Sequence, residues 1–200
     1  MTTPRIAVIV ASTRTDRFGG KPADWLWSKL PERRDMTFEL IDLRDHPLPF
    51  FDEAATNAFV ETKDPAARAW QDLIRRFDGY IFVTPEYNHS IPGALKNALD
   101  QAYVEWKHKP IAALAYGSMG GARALEHLRQ ISVELQMVAV RNAVHIGGPD
   151  FYRVSPIGDD DPISAIEEHI APSLEAMLDD VAWWARATMA ARSQERKEAA

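Results

Sequence analysis

The chain has 200 residues, a formal net charge of −6 at pH 7 and no cysteine. This length fits one domain with a full-sized hydrophobic core, and the acidic charge balance argues against a broad face that binds nucleic acid. Without cysteine the protein has no disulfide, thiolate nucleophile or cysteine-based zinc site, so any redox chemistry requires a bound cofactor.

Short apolar segments alternate with longer amphipathic ones, a pattern typical of βαβ units around a parallel sheet. Strands are predicted over residues 5–10, 37–41, 79–83, 111–116 and 143–146. Helices are predicted over residues 23–30, 66–77, 93–103, 122–135 and 173–190. This order predicts an α/β fold, a flavodoxin-like three-layer sandwich whose five-stranded parallel sheet has the order 2-1-3-4-5 with helices on both faces.

We expect a single domain over residues 1–190 and a frayed charged tail over residues 191–200, where no apolar periodicity continues. The first apolar run, Ile6 to Val10, is too short for a membrane span, and no small-residue cleavage site follows it. We therefore expect a cytoplasmic protein that has neither a membrane nor a nucleic acid as its partner.

A long proline-containing loop over residues 43–62 follows the second predicted strand. Loops of this length inside a compact domain are often functional. Two interpretations are open: the loop walls a substrate pocket, or it is a surface excursion that Phe50 and Phe51 anchor to the core.

The loop after the first strand combines hydroxyl-bearing, cationic and small residues directly before a helix. The residues expected to bind a ligand here are Ser12, Thr13, Arg14, Arg17 and Gly19. Pro22 marks the first turn of the helix, so free amides and the positive end of the helix dipole face the loop. The spacing fits neither a Walker motif nor a G-x-G-x-x-G fingerprint, and a single phosphomonoester is the best-fitting anion. For Arg17 and Lys21, exposure to solvent is an equally open interpretation.

A polar segment follows the third strand and reads Pro-Glu-Tyr-Asn-His-Ser-Ile-Pro-Gly from Pro85 to Gly93. A strand, a short loop and a helix in this order place the loop at the carboxyl edge of a parallel sheet, where open α/β folds bind their ligands. The candidate binding residues in this segment are Pro85, Glu86, Tyr87, Asn88 and Ser90.

The loop after the fourth strand has small side chains, which let a flat ligand approach the backbone closely. Its candidate binding residues are Gly117, Ser118, Gly120 and Gly121. Strands one, three and four are neighbours in a sheet of order 2-1-3-4-5. The three polar loops are therefore expected to meet at one edge of the sheet.

The segments Pro-Glu-Tyr-Asn, Ser-Ile-Pro-Gly and Leu-Lys-Asn-Ala, in this register between Pro85 and Ala98, closely resemble the flavin-loop motif of the NADPH-dependent FMN reductase family. Ser12, Thr13 and Arg14 also match the first loop of that family, although Ala11 replaces the usual glycine. The resemblance extends over residues 5–146 and does not include the last helix.

The resemblance implies non-covalent FMN, with the phosphate in the first loop and the ring system against residues 85–90 and 117–121. It implies that NADPH or NADH supplies a hydride and that a quinone, azo or nitro compound, free flavin or metal ion accepts it, with ping-pong kinetics. It also implies a homodimer or homotetramer, and no side chain that acts as catalytic acid or base. The six histidines lack metal-ligand spacing, so no resident metal is predicted.

Two other functions are open on the same scaffold. A flavodoxin-type carrier would pass single electrons between proteins, and a flavin-free binding module would perform no redox chemistry. Carriers of that type typically have a strongly acidic surface, and a net charge of −6 is modest for this role.

Overall fold

Strands of one parallel sheet form the centre of the computed structural model, which describes residues 3–198. The strands are β1 (Arg5–Val10), β2 (Thr37–Asp42), β3 (Gly79–Pro85), β4 (Pro110–Tyr116), β5 (Val138–Ala139) and β6 (Val144–Ile146). Their order is β2-β1-β3-β4-β5, and β6 also pairs with β4. The predicted parallel sheet and its strand order are confirmed.

The fifth position of the sheet is divided between two short strands. β5 pairs with Pro110 and Ile111, and β6 pairs with the last part of β4. Between them the chain turns toward the last helix, where Asn142 donates to Asp180 from its backbone nitrogen at 3.2 Å and from Nδ2 at 2.9 Å. The predicted strand over residues 143–146 corresponds to β6, whereas the two-residue β5 is too short to produce a period in the sequence.

Helices cover both faces of the sheet, as predicted. They are α1 (Gly20–Lys29), α2 (Pro65–Arg75), α3 (Gly93–Asp100), α4 (Ala122–Glu134), α5 (Gly148–Val154) and α6 (Glu167–Glu198). One core contains buried side chains of α1, α5 and α6, and the other contains those of α2, α3 and α4. Every residue of β3 and β4 is buried, because helices cover both of their faces.

The C-terminal segment differs from the sequence prediction. Of residues 191–200, which were expected to fray, residues 191–198 continue α6 as far as Glu198, and residues 199–200 lie outside the described part of the chain. Arg192 donates to Asp78 at 2.7 Å and to the carbonyl of His108, so a charged contact stabilises this end of the helix. A search for apolar periodicity cannot detect such an anchor.

The helices within residues 3–198 are all too short or too polar to cross a membrane.

Candidate functional site

Three loops meet at the carboxyl edge of the sheet, as their positions after β1, β3 and β4 require. We name them the β1 loop (residues 11–19), the β3 loop (residues 86–92) and the β4 loop (residues 117–121). Ser12 Oγ lies 3.0 Å from the hydroxyl of Tyr87, which joins the first two loops. The amide of Glu86 donates to the carbonyl of Tyr116 at 2.9 Å, which joins the β3 loop to the end of β4.

The two arginines of the β1 loop have different surroundings. Arg14 is exposed, and its guanidinium makes no hydrogen bond to any group within residues 3–198. The side chain of Arg17 is only 9% exposed and donates to Asp42 at 2.6 Å and to the carbonyl of Ser12 at 2.8 Å. Arg14 is therefore available to a ligand, whereas Arg17 stabilises the loop itself.

Asp42, at the end of β2, is the group that holds Arg17. Burial disfavours its charged form, but hydrogen bonds from Arg17 and Arg44 outweigh burial and hold the pKa of the Asp42 carboxyl well below its usual range. The hydrogen bond that Arg17 donates to Asp42 is the main cause that raises the pKa of Arg17. We correct the predicted ligand-binding role of Arg17 to a role in the framework of the loop.

Lys21 also makes contacts within the protein. Its ammonium donates to Asp160 and to the carbonyl of Val154 at 3.2 Å, which ties α1 to the segment after α5. Of the two cations whose role the sequence left open, neither is therefore free at the carboxyl edge of the sheet.

Backbone geometry at the ends of the β1 loop explains two of its small residues. A Cβ atom added to Gly19 would lie 2.4 Å from the hydroxyl of Tyr116, so only glycine fits there without movement. Ala11, which stands where the resembled family has glycine, is not among the described residues with positive φ, so its methyl group causes no backbone strain. Gly19 precedes α1, whose first amides donate to no capping side chain.

The β3 loop begins with a tight two-residue turn. Tyr87 and Ser90 exchange backbone hydrogen bonds of 2.9 Å and 3.0 Å, and the two residues between them, Asn88 and His89, have φ values of 49° and 68°. Two positive φ values in succession are required for a type I′ turn, and asparagine and histidine adopt this conformation more readily than most residues. The turn presents the exposed Asn88 and His89 at the edge of the sheet.

Glu86 is a clamp between the β3 loop and α4. Its side chain is only 5% exposed and accepts hydrogen bonds from the guanidinium of Arg123 and from the amides of Arg123 and Ala124, at 3.0 Å and 3.4 Å respectively. Burial opposes ionisation, but these hydrogen bonds prevail and lower the pKa of Glu86. Arg123 also lies 2.9 Å from His89. The side chain of Glu86 therefore has a positioning role, and a contact of its backbone with a ligand stays a prediction.

The glycines of the β4 loop serve close packing within the protein. Gly121 has a φ of 68°, and an added Cβ would lie 2.6 Å from the Cβ of Ala115 and 2.7 Å from the amide of Tyr116. Gly120 has the same φ and approaches the backbone of Gly147. Both glycines are buried, whereas Gly117 and Ser118 are accessible. The predicted ligand contact is thus geometrically open to Gly117 and Ser118 but not to the two buried glycines.

The predicted site residues fall into two groups by their surroundings. Those accessible at the edge are Thr13, Arg14, Tyr87, Asn88, Ser90, Gly117 and Ser118. Those that build the framework are Ser12, Arg17, Gly19, Pro85, Glu86, Gly120 and Gly121. Three residues missed by sequence reasoning complete the framework: Asp42, Tyr116 and Arg123. Burial raises the pKa of Tyr116, so its hydroxyl stays protonated under the loops.

The loop over residues 43–62 is attached to α3 by polar contacts. The carbonyl of Pro49 accepts from Asn97 Nδ2 at 2.8 Å and from Gln101 Nε2 at 2.6 Å. Phe50 is 87% exposed and Phe51 is 37% exposed, so the interpretation that these two side chains anchor the loop to the core is wrong. The first part of the loop instead walls a groove beside Thr13.

Comparisons with known proteins show the family and the fold of this chain. Residues 4–149 match the family model described as NADPH-dependent FMN reductase. The chain is 40% identical over 140 residues to an NAD(P)H-dependent FMN reductase from Nectria sp.. The matched region covers 66% of this chain and 69% of the relative. It is also 33% identical over 189 residues to a 2-hydroxy-1,4-benzoquinone reductase from Burkholderia sp.. That matched region covers 91% of this chain and 96% of the relative. Among solved structures it is similar to FerB, a flavoenzyme NAD(P)H:(acceptor) oxidoreductase from Paracoccus denitrificans, with a TM-score of 0.68 and 26% identity over 92% of this chain and 98% of that one.

Proposed function

The chain belongs to the NADPH-dependent FMN reductase family, and we propose from this premise that it passes a hydride from NADPH or NADH through FMN to a small acceptor, with a quinone as the first candidate. It is an NAD(P)H-dependent oxidoreductase with FMN as its cofactor. Azo and nitro compounds, free flavin and metal ions are the other acceptor classes in this proposal.

The donor set of the β1 loop fits the FMN phosphate. Thr13 and Arg14 are exposed, and within residues 3–198 neither the Arg14 guanidinium nor the amide of Gly20, which begins α1, has a hydrogen-bonding partner; the next amide, that of Lys21, donates to the carbonyl of Phe18. A dianionic phosphomonoester would satisfy these donors at once, since helix N-termini and guanidinium groups both favour phosphate oxygens. The unpaired Arg14 beside an ion-paired Arg17 is the observation that most strongly supports this proposal.

The β3 and β4 loops fit a planar ring system. Tyr87, Asn88, Gly117 and Ser118 remain accessible at the carboxyl edge of the sheet, and the Glu86 clamp ties the β3 loop to the start of α4, directly after the β4 loop. Bound FMN supplies the hydride-accepting chemistry that no side chain of this chain has. The residues around the ring would orient it and exclude water rather than transfer protons.

We propose a ping-pong mechanism, as the resemblance to the family implies. In this proposal the nicotinamide leaves before the acceptor binds, because both need the same face of the ring. We further propose a homodimer or homotetramer, which the exposed Phe50 and Phe59 support, since both side chains are more than four-fifths exposed, at 87% and 83%.

Anaerobic mixing of the FMN-loaded protein with NADPH or NADH tests the proposed function. We expect the visible flavin absorbance to disappear in one two-electron step and to return when a small quinone is added. Double-reciprocal plots at varied quinone should give parallel lines. A flavin that neither nucleotide reduces, but that accepts single electrons from dithionite, would favour the electron-carrier function. A purified protein that is colourless and gains no thermal stability from FMN would favour the flavin-free module.

A further inference from the structure

A groove of about 450 Å³ lies between the loop that follows β2 and the first turns of α3, and Thr13 of the β1 loop lines one side of it. Arg44 and His46 are the ionisable residues of its lining, and no carboxylate contributes to it within the described residues. Asn97 adds a side-chain amide. In a chain with a net charge of −6, this is a locally cationic concavity.

Arg44 is oriented by the protein and still has a free donor edge. Its Nε and Nη2 atoms donate to Asp42 at 3.3 Å and 3.1 Å, while Nη1 has no partner within residues 3–198. The side chain is 44% exposed. Asp42 also holds Arg17, so one carboxylate faces two guanidinium groups and one positive charge remains. Asp45 is close in the chain, but it is exposed and does not line the groove.

The distance between the groove and the proposed ring site suits a dinucleotide. β2 and β3 are separated in the sheet by β1, and neighbouring strands lie about 4.8 Å apart, so the carboxyl ends of β2 and β3 are about 10 Å apart. A nicotinamide at the β3 loop can therefore reach the end of β2 with its adenosine half. A guanidinium with a free donor edge binds a phosphate monoester through charge-assisted hydrogen bonds. Here Asp42 is occupied by cations, and Arg44 faces the groove.

We propose that this groove binds the adenosine 2′-phosphate of the donor nucleotide through Arg44, and that it thereby makes the enzyme prefer NADPH to NADH. The inference rests on the proposed function, in which a nicotinamide nucleotide is the hydride donor. The Asp42 carboxylate positions the guanidinium, and Asn97 and Thr13 border the same space.

Calorimetric binding of two adenosine nucleotides to the FMN-loaded protein separates the 2′-phosphate from the rest of the ligand. Adenosine 2′,5′-bisphosphate should bind more tightly than AMP, and Arg44→Ala should weaken the bisphosphate by about 10- to 100-fold while AMP binding stays unchanged. Arg44→Gln is a second variant, which keeps an aliphatic stem with a polar end but removes the charge, and it should behave in the same way. Arg34→Ala is the matched control, because it removes the same charge from an exposed position at the opposite end of β2.

Steady-state rates add a second readout. In Arg44→Ala the KM for NADPH should rise by a similar factor, with little change in the KM for NADH or in kcat. An Arg44→Ala protein that keeps the wild-type preference for the bisphosphate would overturn the proposal, and so would one that loses FMN instead of bisphosphate. Failure of both nucleotides to reduce the wild-type flavin would contradict the proposed function, an outcome distinct from a change confined to the variant.

Discussion

At the carboxyl edge of the sheet Arg14 and Arg44 leave guanidinium nitrogens without a partner in the described part of the chain, whereas at the amino edge Lys109 lies buried with its ammonium 2.9 Å from the hydroxyl of Tyr80. Glu105, also at the amino edge, has a fully buried side chain that accepts from Asn57 at 2.9 Å and Arg75 at 2.7 Å. These two groups at the amino edge are desolvated and satisfied by hydrogen bonds within the protein, so they serve the fold. Charge left exposed at the carboxyl edge is available to a ligand.

Gly121→Ala should have the largest effect on stability, because the backbone at the carboxyl edge allows no side chain there. The new Cβ would lie 2.6 Å from Ala115 Cβ in a residue with a φ of 68°. We expect a loss of about 2 to 4 kcal/mol in the free energy of unfolding, measured with urea. Gly93→Ala is the control, since a Cβ there meets no atom within 4 Å and alanine favours a helix. Equal stability of the two variants would contradict the close packing of the β4 loop.

Arg14→Ala and Arg17→Ala should separate ligand binding from folding within one loop. Arg14→Ala should weaken FMN binding by about 10- to 100-fold and leave riboflavin binding and the stability of the FMN-free protein unchanged. Arg17→Ala should reduce that stability by about 2 kcal/mol, because it removes a shielded pair with Asp42. Fluorescence titration and urea unfolding measure the two effects. If Arg14→Ala binds FMN as well as the wild type does, the phosphate does not lie in the β1 loop.

Lys109→Met should change the pH dependence of stability at the amino edge. Burial lowers the pKa of Lys109 to about 7, while an unfolded lysine titrates at about 10.4. Between these values the unfolded chain binds the additional proton, so the contribution of Lys109 to stability rises with pH, by at most about 1.4 kcal/mol per pH unit. Charged or titratable groups near Lys109 that contribute to its environment are Arg75, Asp78, Tyr80, Glu105 and Arg192.

Urea unfolding of wild type and Lys109→Met between pH 7 and pH 10 measures this contribution. The rise in stability with pH should be smaller in the variant. Lys96→Met, at a half-exposed lysine of α3, should keep the wild-type slope. Parallel curves for wild type and Lys109→Met would contradict a neutral lysine at the amino edge.

Sequence patterns predicted those parts of the fold that depend on local hydrophobicity. β1, β3 and β4 are runs of buried apolar residues, and the order of strands and helices then restricts the sheet to few arrangements. The two-residue β5 and the charged end of α6 were not predictable in this way. Arg192 stabilises that helix end through Asp78, which is 114 positions away in the sequence.

Contacts between residues that are distant in the sequence also explain why some site residues have roles that were not predicted. The loops were predicted because each directly follows a strand, but the role of each side chain depends on partners that are distant in the sequence. Arg17 differs from Arg14 because it donates to Asp42, which lies 25 positions further along the chain. Glu86 is enclosed because it accepts from Arg123, which lies 37 positions further along. Local spacing contains no information about such pairs.

The divided fifth position also affects how the protein behaves at high concentration. A sheet edge invites pairing with another chain when it presents a long row of unpaired backbone groups. The β5 and β6 edge is interrupted and short, whereas β2 is a continuous six-residue edge strand with Leu40 41% exposed. Glu39 on β2 forms ion pairs with Arg5 and Arg76 and so places charge on that edge. When these charges are neutralised or screened, we expect aggregation to begin with chains that associate through the β2 edge of the sheet.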